Sequence, residues 1–264
     1  MAETRRTLTA CAVILALTAA GGAGAPALPA ALMQDVRASL FAQADQALEQ
    51  ARAAKADVLA PKTFGAAMRQ YTAAEDDLKR GRDLDRIRRA LLAATDGFRK
   101  ATEATKLAEV TLTAAIAGRE DARNAEASKF AGRTWIEAEK KFEEAARELE
   151  DGDVNGARRR GGEAERIYRD AELAAIKANY LNETLELLRQ AEREDVDDRA
   201  PQTFRRASEL AARAEKLLTE NRYDTDEARV LAQEAKREAR HALYLAQKVR
   251  EIDRGGEKGA EAIL

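Results

Sequence analysis

A short motif occurs three times along the chain at nearly constant spacing. Residues Ala60–Phe64 and Ala200–Phe204 both read Ala-Pro-x-Thr-Phe, and Gly132–Trp135 places a Thr-aromatic pair between them. The aromatic residues that end these three copies lie 71 and 69 residues apart. Self-similarity at a fixed period is the signature of repeat architectures, so the sequence predicts three tandem units of about 70 residues.

The residues after each motif aromatic follow a helical pattern. At 3, 7, 10 and 14 residues beyond it, every copy carries alanine or a larger apolar side chain. Alternating steps of three and four mark one face of a helix, so a helix, named helix B, is predicted in every unit. The apolar positions are Ala67, Tyr71, Ala74 and Leu78; Ala138, Phe142, Ala145 and Leu149; and Ala207, Ala211, Ala214 and Leu218.

A turn and a second apolar seam follow each helix B. The turns are Gly81-Arg82-Asp83, Asp151-Gly152-Asp153 and Asn221-Arg222-Tyr223-Asp224. Gly or Asn can end a helix in the left-handed conformation, and Asp can cap the next one. The seam of this next helix, named helix C, comprises Ile87, Ala94, Phe98 and Ala101; Ala157, Ala164, Tyr168 and Ala171; and Ala228, Ala235, Ala239 and Ala242.

No proline separates helix C of one unit from the first helix of the next. The sequence predicts continuous helices from 84 to about 128 and from 154 to about 194, with bends at Gly118 and at the pair Gly161 and Gly162. The expected fold class is all-α, an elongated, spectrin-like rod of three tandem three-helix bundles that share long helices. An α-solenoid of helix pairs is the alternative.

The predicted boundaries divide the chain into five segments. They are a signal peptide over 1–27, helical unit 1 over 28–106, unit 2 over 107–176, unit 3 over 177–252 and a flexible C-terminal tail over 253–264.

The first residues have the three-part layout of a secretory signal peptide. Arg5 and Arg6 precede the apolar run Leu8–Ala20, and Ala25-Pro26-Ala27 fits a cleavage site. We expect cleavage near that Ala27 and export to the periplasm; the alternative is an uncleaved segment that anchors the chain to the inner membrane. Cys11 is the only cysteine, so the exported chain would fold without disulfides.

The sequence predicts no catalytic, cofactor or metal site. The formal net charge is -2 with charges of both signs interleaved, which argues against nucleic acid as a partner. His241 is the only histidine, too few ligands for a transition metal. Acidic clusters such as Glu194–Asp198 lack the spacing of a calcium loop, and basic clusters such as Arg158–Arg160 have acids at helical spacing. We therefore expect a protein that is not an enzyme.

Aromatic residues are predicted to anchor the cores. Most other seam positions are alanine, and a seam that buries fewer methylenes gains less, at about 0.8 kcal/mol for each. The predicted structural anchors are Phe64, Tyr71, Phe98, Trp135, Phe142, Tyr168 and Phe204.

The Ala-Pro-x-Thr-Phe opening, followed by alanine-spaced helices on both sides of a Gly/Asp turn, resembles a known group of segments. These are the uncharacterised alanine-rich helical repeats upstream of OmpA-like domains in Gram-negative envelope proteins. The resemblance spans most of residues 32–252. The OmpA-like domain itself is absent from the sequence, so the resemblance does not imply peptidoglycan binding here.

These observations favour a non-enzymatic structural or scaffolding protein of the periplasm or cell envelope. Its expected partner is another envelope protein or a further copy of itself, contacted through helix faces. One alternative is an amphipathic protein that binds lipid at a membrane surface, and another is a periplasmic holding chaperone. No cofactor and no nucleic acid are expected under any of these hypotheses.

Overall fold

The computed structural model describes residues 30–261, and their side chains over 36–255. The chain divides into two compact parts, Met1–Leu40 and Phe41–Leu264. In the first part the described residues form the beginning of one helix, which starts at Ala30. The second part contains all three copies of the motif. The predicted signal peptide over 1–27 lies outside the described residues.

Every regular element in the described range is an α-helix, so the all-α fold class is confirmed. The helices are α1 (Ala30–Ala53), α2 (Ala56–Leu59), α3 (Pro61–Lys79), α4 (Leu84–Thr111), α5 (Thr113–Asn124), α6 (Ala127–Phe130), α7 (Gly132–Glu150), α8 (Val154–Arg193), α9 (Val196–Arg199), α10 (Pro201–Glu220) and α11 (Asp226–Glu261). Helix α11 extends past residue 252, at which the third unit was predicted to end.

An unpredicted turn precedes each helix B. A non-glycine residue adopts left-handed backbone geometry at Lys55, Glu126 and Asp195, with φ of 54°, 57° and 51°. Each is followed by a four-residue helix, α2, α6 or α9, and then by the motif itself. Left-handed geometry is uncommon for residues other than glycine, and none of these three positions is a glycine. The residue types in the sequence therefore gave no reason to predict the turns. The prediction of helix up to residue 128 is therefore wrong, since α5 ends at Asn124.

The first predicted long helix is also interrupted at Leu112, where φ is -108° and ψ is 20°. The hydroxyl of Thr113 donates to the carbonyls of Glu109 (2.6 Å) and Val110 (3.0 Å). Threonine hydroxyls that bond to helix carbonyls compete with the backbone ladder and bend helices. The interruption at Leu112 thus lies next to this threonine. The glycine that was expected to bend the helix, Gly118, is instead buried within α5.

The second predicted long helix is continuous. Helix α8 runs from Val154 to Arg193 without interruption, and it passes through Gly161 and Gly162. Its first half packs with α5 and α7, while its second half packs with α10 and α11. One helix therefore supplies side chains to two successive hydrophobic cores.

The apolar seams face the interior. All twelve helix C seam residues are buried, as are eleven of the twelve helix B seam residues, with Leu78 half-buried. Helix α3 packs along α4, α7 along α8, and α10 along α11. The three helices B and their following helices C thus form three hairpins with equivalent register.

The turns within these hairpins are of two kinds. Gly81 and Gly152 have left-handed φ of 62° and 88°, and Asp83 and Asp153 cap the following helices. Asn221 instead is extended, and its side-chain oxygen accepts from the Tyr223 amide. The left-handed ending expected there is wrong: the third turn has five residues between its helices, against four and three in the other two, and it closes through the asparagine side chain.

Candidate interaction surfaces

The structure distributes the seven predicted anchors between buried and half-buried positions. Tyr71, Phe98, Phe142 and Tyr168 are buried. The three aromatics of the motif are half-buried and lie at the starts of α3, α7 and α10; they are Phe64, Trp135 and Phe204.

In unit 1 the three anchors form one aromatic cluster with a fourth ring, which the sequence pattern did not predict as an anchor. The ring of Phe41, which is fully buried in α1, lies 5.5 Å from that of Tyr71, and Tyr71 lies 6.3 Å from Phe98. Phe64 completes the cluster at 5.5 Å from Phe98. Phe41 could have been found from the repeat, because Leu112 and Leu181 follow it at the same 71- and 69-residue spacing.

Unit 2 is built around Tyr168. Its ring centre lies 5.5 Å from that of Trp135 and 6.2 Å from that of Phe142. The Tyr168 hydroxyl donates to Glu139 Oε1 at 2.5 Å. The guanidinium of Arg119 donates to both oxygens of the same carboxylate, at 2.7 and 3.0 Å. This polar group joins α5, α7 and α8, so it fixes three helices of one core together.

The environment of this group shifts two pKa values. Burial, reinforced by the hydrogen bond to Glu139, raises the pKa of Tyr168 above its ordinary value. The same carboxylate stabilises the charged guanidinium and raises the pKa of Arg119. Both shifts keep the phenol protonated and the guanidinium charged, which suits a structural hydrogen-bond network rather than proton transfer.

Unit 3 lacks both the aromatic cluster and the polar group. At the positions equivalent to Tyr168, Glu139 and Arg119 it has Ala239, Ser208 and Leu188. Its core is aliphatic, with Phe204 packed at the edge. The leucines of this core are Leu181, Leu188, Leu210, Leu218 and Leu231.

Units 1 and 2 meet where the start of α3 approaches the end of α7. The Glu150 carboxylate accepts from the Lys62 and Thr63 amides at 2.9 and 2.8 Å, and the Lys62 ammonium bonds to Asp151. The first amides of a helix have no partner within it, so an acidic residue of the neighbouring unit caps α3. The buried side chain of Leu59 belongs to the hydrophobic core of unit 2.

Units 2 and 3 meet through arginines instead. Arg169 donates to Asp121 at 2.6 Å, and Arg222 donates to the Arg169 carbonyl at 2.6 Å. Both arginines reach Glu172, which is buried, at 3.3 and 3.2 Å. A buried carboxylate is stable when it is paired in this way, so this contact ties the turn at Arg222 to α8.

The other charged candidates lie on the surface. His241 is exposed, Glu194 pairs with Arg250 at 2.8 Å, and Arg160 pairs with Glu163 at 3.1 Å. Between residues 36 and 255, no three of the metal-binding side chain types converge on a point that could hold a metal ion. Nor does the described part of the chain contain a helix long and apolar enough to cross a membrane.

Large apolar side chains are exposed on the outer faces of several helices. On α4, Leu92, Leu107 and Val110 lie within about 60° of one another at 100° per residue. Ile136 of α7 is 68% exposed and lines a groove with Val58. No family model, no curated protein and no solved structure matches the chain.

Proposed function

We propose that this protein is a non-enzymatic scaffold of the cell envelope that binds another envelope protein, or further copies of itself, through the outer faces of its helices. The observation that carries the proposal is the apolar face of α4. Leu92 is 59% exposed and Val110 is 78% exposed, although the seam of the same helix is fully occupied by the core. Exposed apolar side chains that share a face are typical of protein interaction surfaces.

The tandem organisation supports this role. Three helical hairpins with equivalent register present similar backbones and different outer side chains, as scaffolding repeats do. Export to the periplasm is proposed from the signal-peptide layout of the first 27 residues. The elongated arrangement of the units stays a prediction from the sequence.

Site-specific photocrosslinking in the native envelope tests the proposal. A photoreactive amino acid at Val110 is expected to give discrete protein adducts, because this side chain projects from the apolar face. The matched control is Glu109, which is also exposed but lies about 100° away around the same helix. Adducts at neither position, or equal adducts at both, would contradict binding through the α4 face.

A second experiment distinguishes binding to a protein partner from binding to a lipid surface. The Leu107→Ser, Val110→Ser variant is expected to lose the adducts captured from a probe at Leu92 while its circular dichroism stays that of the parent. The purified parent chain and this variant are then floated with anionic vesicles. Flotation of the parent that is lost in the variant, without protein adducts, would favour the membrane-surface alternative over the scaffold.

A further inference from the structure

The two junctions between units are held in different ways. At the first junction the helix that connects the units is interrupted at Leu112, and a carboxylate at the end of α7 caps α3. At the second junction α8 is continuous through Leu181, the residue equivalent to Leu112. The repeat itself therefore does not require the interruption.

The interruption at Leu112 has the features of a pivot. Leu112 keeps its own helical hydrogen bonds, since its amide donates to Ala108 at 2.8 Å and its carbonyl accepts from Ile116 at 2.9 Å, so the interruption consists of its backbone angles alone. Its side chain is buried against Gly161 of α8, where a Cβ atom would lie 2.8 Å from Leu112 Cδ2. The residue is thus fixed to unit 2, while the helix direction can change at its φ and ψ.

The contacts between α3 and α7 form a latch across the same junction. They consist of the two amide bonds to Glu150, the ion pair of Lys62 with Asp151, and the apolar side chains of Leu59 and Val58, which pack in and against the core of unit 2. Except for Leu59 and Val58, these groups are polar and lie near the surface. Charge-assisted bonds at a surface can be exchanged for bonds to water at small net cost, so the polar part of the latch can open and leave the two apolar side chains to hold the junction.

We propose that the junction between units 1 and 2 is a latched hinge, which pivots at Leu112 and is held closed by Glu150, whereas the junction between units 2 and 3 is rigid. The groove between Val58 and Ile136 lies across the hinged junction, with Pro61 at its edge. Full opening would withdraw Val58 and Leu59 from the core of unit 2 and widen this groove. The inference does not depend on the scaffold role, since it concerns motion within the chain.

Distances between pairs of spin labels test the proposal in the full chain with Cys11→Ser as background. One pair, at Arg69 and Glu137, spans the first junction, and a second pair, at Glu137 and Arg205, spans the second junction. All three labelled positions are exposed. The Glu150→Ala variant is expected to broaden the distance distribution of the first pair and to leave that of the second pair unchanged.

Two further variants complete the design. Glu220→Ala is the matched control, because Glu220 ends α10 as Glu150 ends α7, and it is expected to change neither distribution. Thr113→Ala in the Glu150→Ala chain removes the hydroxyl that competes for helix carbonyls, and it is expected to narrow the first distribution again. An unchanged first distribution in Glu150→Ala, equal broadening of both pairs, or no narrowing by Thr113→Ala would overturn the latched hinge.

Discussion

Units 2 and 3 share one backbone register but fill it with different chemistry. In unit 2 the buried ring of Tyr168 contacts Trp135 and Phe142, and its hydroxyl bonds to a carboxylate paired with an arginine. In unit 3 the equivalent of Tyr168 is Ala239, and leucines fill the core. The same spacing of seam residues therefore supports both an aromatic core with a polar network and a core of buried leucines and alanines with aromatic rings only at its edge.

Helix register and core composition are therefore separable in this chain. Alanine at most seam positions brings the helices close and sets the register, because it occupies the same offsets in all units. The few large side chains then determine how each unit is stabilised. The effect of a substitution on stability should consequently stay within one unit, and its size should depend on the core in which the substituted residue is buried.

The largest effect is expected from truncation of an aromatic anchor in unit 2. Phe142 is 2% exposed, and Phe142→Ala should lower the free energy of unfolding by about 3–5 kcal/mol through lost burial and a cavity. Urea unfolding followed by the fluorescence of Trp135 measures the change. The control Tyr244→Ala removes an exposed ring from α11 and should change stability by less than about 0.5 kcal/mol. Similar losses in both variants would contradict the assignment of Phe142 to the core.

Replacement of a core alanine of unit 3 by tyrosine tests whether that core has room for the ring that unit 2 contains. Ala239 is fully buried, so Ala239→Tyr should overpack the aliphatic core and cost about 1–3 kcal/mol. Thermal unfolding of the variant is compared with that of Val230→Tyr, which places the same ring on the exposed face of α11. If Ala239→Tyr were as stable as the parent, the two cores would have equal room at this position.

The polar network of unit 2 is expected to contribute less than its rings. Tyr168→Phe keeps the ring and removes the hydrogen bond to Glu139, which should cost about 1 kcal/mol in urea unfolding. Tyr180→Phe is the matched control, because that hydroxyl makes only a 3.3 Å bond to Thr225 at the turn of unit 3. A larger loss of unfolding free energy in Tyr180→Phe than in Tyr168→Phe would contradict this prediction, because the tyrosine hydroxyl of unit 3 would then contribute more than that of unit 2.

The smallest predicted effect is a dependence of stability on alkaline pH. Burial raises the pKa of Tyr168 in the folded chain, whereas in the unfolded chain a tyrosine titrates near its usual value of about 10. The contribution of this phenol to stability is therefore present below about pH 10 and is lost as the pH rises further. Melting temperatures between pH 8 and 11 should fall more steeply for the parent than for Tyr168→Phe; parallel curves would contradict a raised pKa.

The helices and their seams could be predicted from the sequence because each position of the repeat occurs three times and can be compared among the three copies. The offsets that carry Ala67, Ala138 and Ala207 identify a buried face even where alanine alone says little. The anchors were found in the same way, except Phe41, whose equivalents are leucines rather than aromatics.

The turns and the polar contacts could not be predicted for physical reasons. Left-handed geometry at Lys55, Glu126 and Asp195 is not indicated by residue type, since three different side chains adopt it. The capping of α3 by Glu150 joins residues 88 positions apart, a pairing that no local pattern indicates. The interruption at Leu112 lies beside Thr113, whose hydroxyl bonds to helix carbonyls. However, Thr95 and Thr102 make the same kind of bond inside the uninterrupted part of α4, so the residue type alone does not indicate an interruption.

Hydrogen exchange along α8 tests most directly the claim that one continuous helix serves two cores. Exchange of its backbone amides is measured by mass spectrometry in the parent chain and in Phe142→Ala. We expect faster exchange over residues 154–175, together with α7, while residues 181–193 and α10 keep their protection. Equal loss of protection along all of α8 and α10 would contradict it, because the two cores would then unfold as one.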